Sequence, residues 1–270
     1  MDLIQALILG IVQGATEFIP VSSSGHLVLV PWLLGWESPG LLFDTMAHWG
    51  TLLAVVAYFW QDLRAIVSSV LRDLDHGQPL ASSESKLGWM IVLATIPAVV
   101  IGFLFKDAFE ALFMRPLWVG GFLLVTGFIL WTSETLGKRI REIESIGSND
   151  ALLIGLAQSL AITPGMSRSG ATIGMGLLQG LERPAAARFS FLMMVPIVFG
   201  AGLLQLVELT QVGLSGEAGL VLVAGFSTAA ITGYAAIAFL LDYLATRSVR
   251  AFAVYCWLFG AFSLLVAVGR

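Results

Sequence analysis

The chain has 270 residues, of which 57% are hydrophobic and only 12% charged, with a mean hydropathy of +0.89, so it lacks the polar material to cover a soluble globule. A net charge of −4 says nothing about orientation, which follows where Lys and Arg are placed. The composition excludes a soluble catalytic domain and predicts an all-α polytopic membrane protein. The one cysteine, Cys256, excludes an internal disulfide and cysteine metal sites, and the N-terminus MDLIQ lacks the basic start of a signal peptide and is read as part of the mature fold.

Residues 3 to 16 are apolar, but a helix of that length reaches about 20 Å, short of a hydrocarbon core of roughly 30 Å. A polar break follows at once in QGATEFIPVSSSGH, residues 13 to 26. Pro20 removes a backbone donor there, and Ser22, Ser23 and Ser24 offer caps for a helix restarting near Gly25. A second short apolar run, 26 to 35, ends at Gly35, Pro39 and Gly40. Residues 3–35 are therefore expected to form a re-entrant hairpin, which is tolerated at membrane depth only where protein or a wet cavity surrounds the open backbone.

Spans are predicted at 43–60, 88–105 and 117–136, separated by a charged connection at 61–87 and a loop holding Lys106 and Arg115. Residues 137–150, with Lys138, Arg139 and Arg141, divide the chain. A second broken segment at 151–182 and spans near 189–208, 218–241 and 251–269 then repeat the order. At an offset of 145 residues, Ala6, Leu7, Gly10, Gln13, Ser22, Ser24 and Gly25 fall on Ala151, Leu152, Gly155, Gln158, Ser167, Ser169 and Gly170. The expected organisation is one membrane domain built of two repeats, 1–145 and 146–270.

If each hairpin returns to the side it entered from, one face receives every Lys and Arg except Lys106, Arg115, Arg270 and Arg168. That face is predicted to be cytoplasmic, with both termini outside. The two hairpins then enter from opposite sides, which is inverted-topology repeat architecture, with about six full spans plus two re-entrant hairpins.

The breaks carry the chemistry. Two helix N-termini, at Ser24 and Gly25 and at Ser169 and Gly170, would converge on an anion, and Arg168 adds a planar fork of donors suited to phosphate. Glu17 sits at the C-terminal end of its half-helix, where the helix dipole disfavours a negative charge, so it needs a cation: Arg168, a protonated His26 or a divalent metal. Gln13, four residues earlier, shares its face and is placed to orient it or to ligate the same metal. A serine run is ordinarily a cap, a lone histidine structural and an arginine a mere counter-ion. Their joint occurrence at two repeated breaks favours a site for phosphoryl chemistry. Asp44 and His48, also i and i+4, are divided evenly between supporting a metal site and marking the interfacial start of a span. His76 reads as a solvated loop residue, and Gly10, Gly14, Gly170, Gly174 and Gly176 as close-packing positions.

The motif at 13–26, together with PGMSRSGAT at 164–172 and FDTMAHWGTLLAV at 43–55, resembles the bacterial undecaprenyl-diphosphate phosphatase, or bacitracin-resistance, family. The resemblance covers nearly the whole chain. It implies an enzyme of the bacterial inner membrane that removes the terminal phosphate of undecaprenyl diphosphate on the periplasmic side, renewing the lipid carrier for cell-wall synthesis. A divalent cation, Mg2+ or Ca2+, is implied as cofactor. The family's catalytic acid, serine, histidine and arginine fall on Glu17, Ser23, His26 and Arg168. Ser22, Ser24, Gly25, Ser167, Ser169, Gly170 and Thr172 line the expected substrate site, and Glu17 with Gln13 the metal site. Gln13 occupies a position where members carry Glu or Gln, which puts a two-carboxylate metal site in doubt.

The nucleophile is left open between His26, Ser23 and water. Expected partners are the polyprenyl diphosphate, membrane lipids and a second copy of the chain in a homodimer, with no nucleic acid. The rival reading is a lipid-phosphate transporter or flippase, since inverted repeats with broken helices are also transporter architecture. The SerGlyHis sequence is shared with type 2 phosphatidic acid phosphatases, but those follow SerArg with five residues and a histidine, which this chain lacks, so the similarity is read as convergent.

Overall fold

A computed structural model describes residues 1–113, 115–209 and 216–269, with backbone alone for 204–209 and 216–218. Arg270, counted above on the outer face, lies outside the described residues. The helices are α1 (Leu3–Phe18), α2 (Ser23–Leu34), α3 (Gly40–Tyr58), α4 (Trp60–Asp75), α5 (Ser83–Leu104), α6 (Lys106–Phe113), α7 (Pro116–Leu136), α8 (Ser148–Leu160), α9 (Arg168–Leu178), α10 (Arg183–Leu209), α11 (Gly216–Thr246) and α12 (Arg250–Gly269). Among the described residues the only extended pairing is a single bridge between Arg141 and Leu181. The protein is an all-α polytopic membrane protein. Among the described residues six helices, α3, α5, α7, α10, α11 and α12, hold segments long and apolar enough to cross a bilayer, while α1 and α2 are apolar but too short.

Polarity is distributed as lipid requires. Phe103, Leu104, Phe128, Ile231, Leu258 and Leu265 are exposed on the outside, while Gln13, Glu17, Ser22, Ser23, His26, Ser167, Ser169 and Thr172 are buried inside. The connection at 61–87 is more ordered than its charge suggests. Most of it is α4, which turns Ile66, Ser69 and Asp73 inward, and the loop beyond is pinned where the Ser82 backbone N–H donates to Asp73 Oδ2 at 2.8 Å. The loop predicted around Lys106 contains the short helix α6.

Each broken segment folds as a pair of half-helices, α1 on α2 and α8 on α9, and each first half-helix is built into the other end of the chain. Helix α1 lies against α11 and α8 against α5, while α3 meets α10 and α7 meets α12. The glycines expected to allow close packing do so. A Cβ at Gly10 would stand 2.6 Å from the Gly225 carbonyl oxygen, and one at Gly14 2.6 Å from that of Ala229, so α1 and α11 touch backbone to backbone. Gly155, which matches Gly10 in the second half, has the same function, because a Cβ there would run into the Ala94 carbonyl of α5.

The dividing segment is held by two buried carboxylates. Arg141 grips Asp150 with both ends of its guanidinium, at 3.0 and 2.8 Å, and Asp150 also accepts from the Gly147 N–H at 2.9 Å. Glu134, at the end of α7, pairs with Arg183 of α10 and with Arg139 at 2.8 Å, and accepts from the Val249 N–H ahead of α12 at 3.4 Å. Glu134→Ala should therefore destabilise the protein by about 2–3 kcal/mol, below the cost of a fully buried pair because both arginines keep some solvent contact. Thermal unfolding in detergent measures it, and an unchanged melting temperature would show that the cluster holds nothing together.

Candidate active site

Helix α1 begins with a reciprocal cap: the Gln5 N–H donates to Asp2 Oδ1 at 2.8 Å, and the Asp2 N–H to Gln5 Oε1 at 3.1 Å. Its last turns bring Gln13 and Glu17 onto the buried face, where Gln13 Nε2 donates to Glu17 Oε2 at 3.0 Å. The chain then turns through Pro20 to Ser22, whose φ of +70° is a left-handed conformation that costs a serine backbone energy. That conformation serves two purposes. It lets Ser22 Oγ cap α2 by accepting from the Gly25 N–H at 3.2 Å, and it aims the Ser22 carbonyl at His26 Nδ1, 2.7 Å away. Helix α2 consequently starts at Ser23, two residues ahead of the expected Gly25.

The second break is built on the same plan. Ser167 Oγ accepts from the Gly170 N–H at 3.0 Å, and α9 starts at Arg168. The serine pairs also match, Ser22 with Ser24 at 3.4 Å and Ser167 with Ser169 at 3.2 Å between hydroxyl oxygens. Thr126 of α7 braces this elbow, donating to the Gly165 carbonyl at 3.1 Å and accepting from the Ser167 N–H at 3.0 Å. The two elbows meet, since a Cβ on Gly25 would lie 3.1 Å from Gly165 Cα.

Glu17 is the hub of the meeting. Arg168 Nη2 donates to its Oε1 at 3.0 Å across the two halves of the chain. Ser23 Oγ donates to its Oε2 in a short hydrogen bond. Besides these and Gln13, His48 is a fourth neighbour, its Nε2 3.7 Å from Oε2. Arg168 thus pairs with Glu17, and the histidine beside the carboxylate is His48, not His26. His26 is one turn beyond Ser23 on α2, but its Nε2 meets the Tyr255 hydroxyl of α12 at 2.7 Å and its ring stacks on Phe259 with centroids 4.8 Å apart. Thr172 lies just behind Arg168, its hydroxyl 2.6 Å from that of Ser190, and Arg168 Nη1 reaches the Ser190 carbonyl at 3.3 Å. His76 is exposed at the end of α4, as expected of a loop residue.

Tyr255 and Ser190 could not be found in the sequence, since both sit in apolar runs. His48 had a signal in its spacing from Asp44, whose Oδ1 is buried without a protein partner. Among the described residues no cluster of three His, Cys, Asp or Glu side chains forms a metal cage. The oxygens present still fit a hard divalent cation shared with a substrate: Gln13 Oε1 is buried and unpartnered beside the Glu17 carboxylate.

The family model for the bacitracin resistance protein BacA matches residues 6–262. The chain belongs to the BacA family. Relatives that carry the name undecaprenyl-diphosphatase match it almost end to end. The protein from Thermomicrobium roseum is 45% identical over 273 residues, covering 98% of each chain. That from Moorella thermoacetica is 46% identical over 268 residues, covering 99% of this chain and 98% of its own. The Desulforudis audaxviator protein is 43% identical over 270 residues, the full length of both.

Proposed function

We propose that this BacA-family protein is an undecaprenyl-diphosphatase, an integral membrane phosphatase that converts undecaprenyl diphosphate to undecaprenyl phosphate and inorganic phosphate. In that role it recycles the lipid carrier for peptidoglycan synthesis and confers bacitracin resistance. Family membership and the relatives' name support the activity. The observation that carries the mechanism is the contact of Ser23 and Arg168, from opposite halves of the chain, with one carboxylate, Glu17.

In this reading Arg168 turns its fork from Glu17 to the terminal phosphate, with the N–H groups at the starts of α2 and α9 beside it. Glu17 then loses its counter-charge and is free to take the Ser23 proton. Ser23 Oγ forms a bond to the terminal phosphorus as the anhydride P–O bond breaks, and undecaprenyl phosphate leaves with the electron pair. Glu17 hands that proton to the departing undecaprenyl phosphate, and water next attacks the phosphoserine, giving a proton to Glu17, which passes it to Ser23 Oγ as the serine–phosphorus bond breaks and inorganic phosphate is released. Ser23 is preferred to His26 as nucleophile because its proton already points at a base, whereas both ring nitrogens of His26 are engaged. A divalent cation held by Gln13 Oε1 and Glu17 would neutralise charge on the diphosphate.

The halves 1–145 and 146–270 are read as inverted repeats in the bacterial inner membrane, with the site opening outward and the prenyl tail lying along apolar helix faces. Purified protein in detergent should release phosphate from a prenyl diphosphate with Mg2+ and without any gradient, and acid-quenched enzyme should carry acid-stable phosphate on the Ser23 peptide. Acid-labile phosphohistidine would transfer the nucleophile's role to His26. No phosphate release, with lipid phosphate crossing vesicles instead, would establish the transporter.

A further inference from the structure

His26 is held by every atom it can use. Nδ1 lies 2.7 Å from the Ser22 carbonyl, and a carbonyl only accepts, so Nδ1 carries the proton. In the neutral ring Nε2 is then bare, and the Tyr255 hydroxyl 2.7 Å from it must be the donor. Tyr255 and Phe259 are one turn apart on α12 and both lie nearly parallel to the imidazole, at 10° and 20°. The residue is 4% exposed. The first turn of α2 is thus clamped at two points, by Ser23 on Glu17 and by His26 on α12. That same turn presents the Ser23 hydroxyl and the N–H groups at the helix start.

We propose that Tyr255 is a positioning residue for the phosphatase reaction: its hydroxyl, donated to His26 Nε2, holds the rotamer of His26, whose tautomer the Ser22 carbonyl fixes, and with it the placement of the α2 first turn against Glu17 and Arg168. This rests on the phosphatase reading above. The hydrogen bond joins the last span to the first elbow, so the final helix of the chain belongs to the site although it supplies no group to the phosphate.

Tyr255→Phe keeps the stacked ring and removes only the hydroxyl. It should lower kcat about tenfold, the loss of one net hydrogen bond, with KM changed less than about twofold. The second readout is the 15N imidazole spectrum of His26 in the full-length protein, labelled at histidine and held in detergent micelles, with His76→Gln and His48→Gln used only to assign the signals. Wild type should show a protonated Nδ1 and a hydrogen-bonded, unprotonated Nε2, and Tyr255→Phe should shift Nε2 alone. A protonated Nε2 in wild type, or an Nε2 signal unmoved by the substitution, overturns the proposal. Wild-type kcat in Tyr255→Phe beside a slow Tyr255→Leu also overturns it, by assigning Tyr255 to packing alone. The spectrum needs no substrate, so failure of wild type to release phosphate would refute the phosphatase reading separately from the hydrogen bond.

Discussion

Glu17→Gln is expected to lower kcat by about 10²–10⁴-fold, the usual worth of a positioned proton acceptor. The amide has the carboxylate's shape and leaves Gln13 and Ser23 with neighbours of the same size, so the fold should survive. It cannot accept the Ser23 proton, and it no longer balances the charge of Arg168. Steady-state phosphate release, with circular dichroism and the melting temperature as controls, measures the effect. Turnover close to wild type in a folded Glu17→Gln protein would remove Glu17 from the reaction and leave it as a counter-ion to Arg168.

Arg168→Ala should act mainly on substrate use, raising KM and lowering kcat/KM about 10³-fold, which corresponds to about 4 kcal/mol. Two losses combine in it. The phosphate loses its planar fork of donors, and the buried Glu17 carboxylate loses its charged partner, which by itself should destabilise the fold by about 3 kcal/mol. Arg168→Lys separates the two, since the ammonium restores the charge without the fork: stability should largely return while kcat/KM stays well below wild type. An unchanged KM in Arg168→Ala would mean that the phosphate is bound elsewhere.

The two substitutions also test how the halves depend on each other. Glu17 is on the α1 end of the first elbow and Arg168 starts α9 at the far end of the second, 151 positions later in the chain. A membrane interior makes such a pair costly to leave broken, because no water replaces the missing partner. The ion pair between the elbows therefore holds the two breaks together, and under the proposed function it would also give up Arg168 to the substrate.

Much of this was legible in the residues. Apolar content and run length determine that the chain is a bundle of spans with two short, broken segments, because backbone polar groups in lipid must be satisfied within helices. The serine caps, the stop at Pro20, the matching Gly10 and Gly155 and the need of Glu17 for a cation follow from local backbone chemistry, and each is found in the structure. Which cation answers that need is not a local matter. Spacing shows that Gln13 and Glu17, or Asp44 and His48, share a face, but not the rotation that points that face toward a particular neighbour. Tertiary packing decided it, bringing Arg168 to Glu17 and turning the His26 ring away toward Tyr255 and Phe259. Such contacts join helices far apart in the chain, and their energies depend on the distance and orientation of whole helices, which no short stretch of sequence encodes.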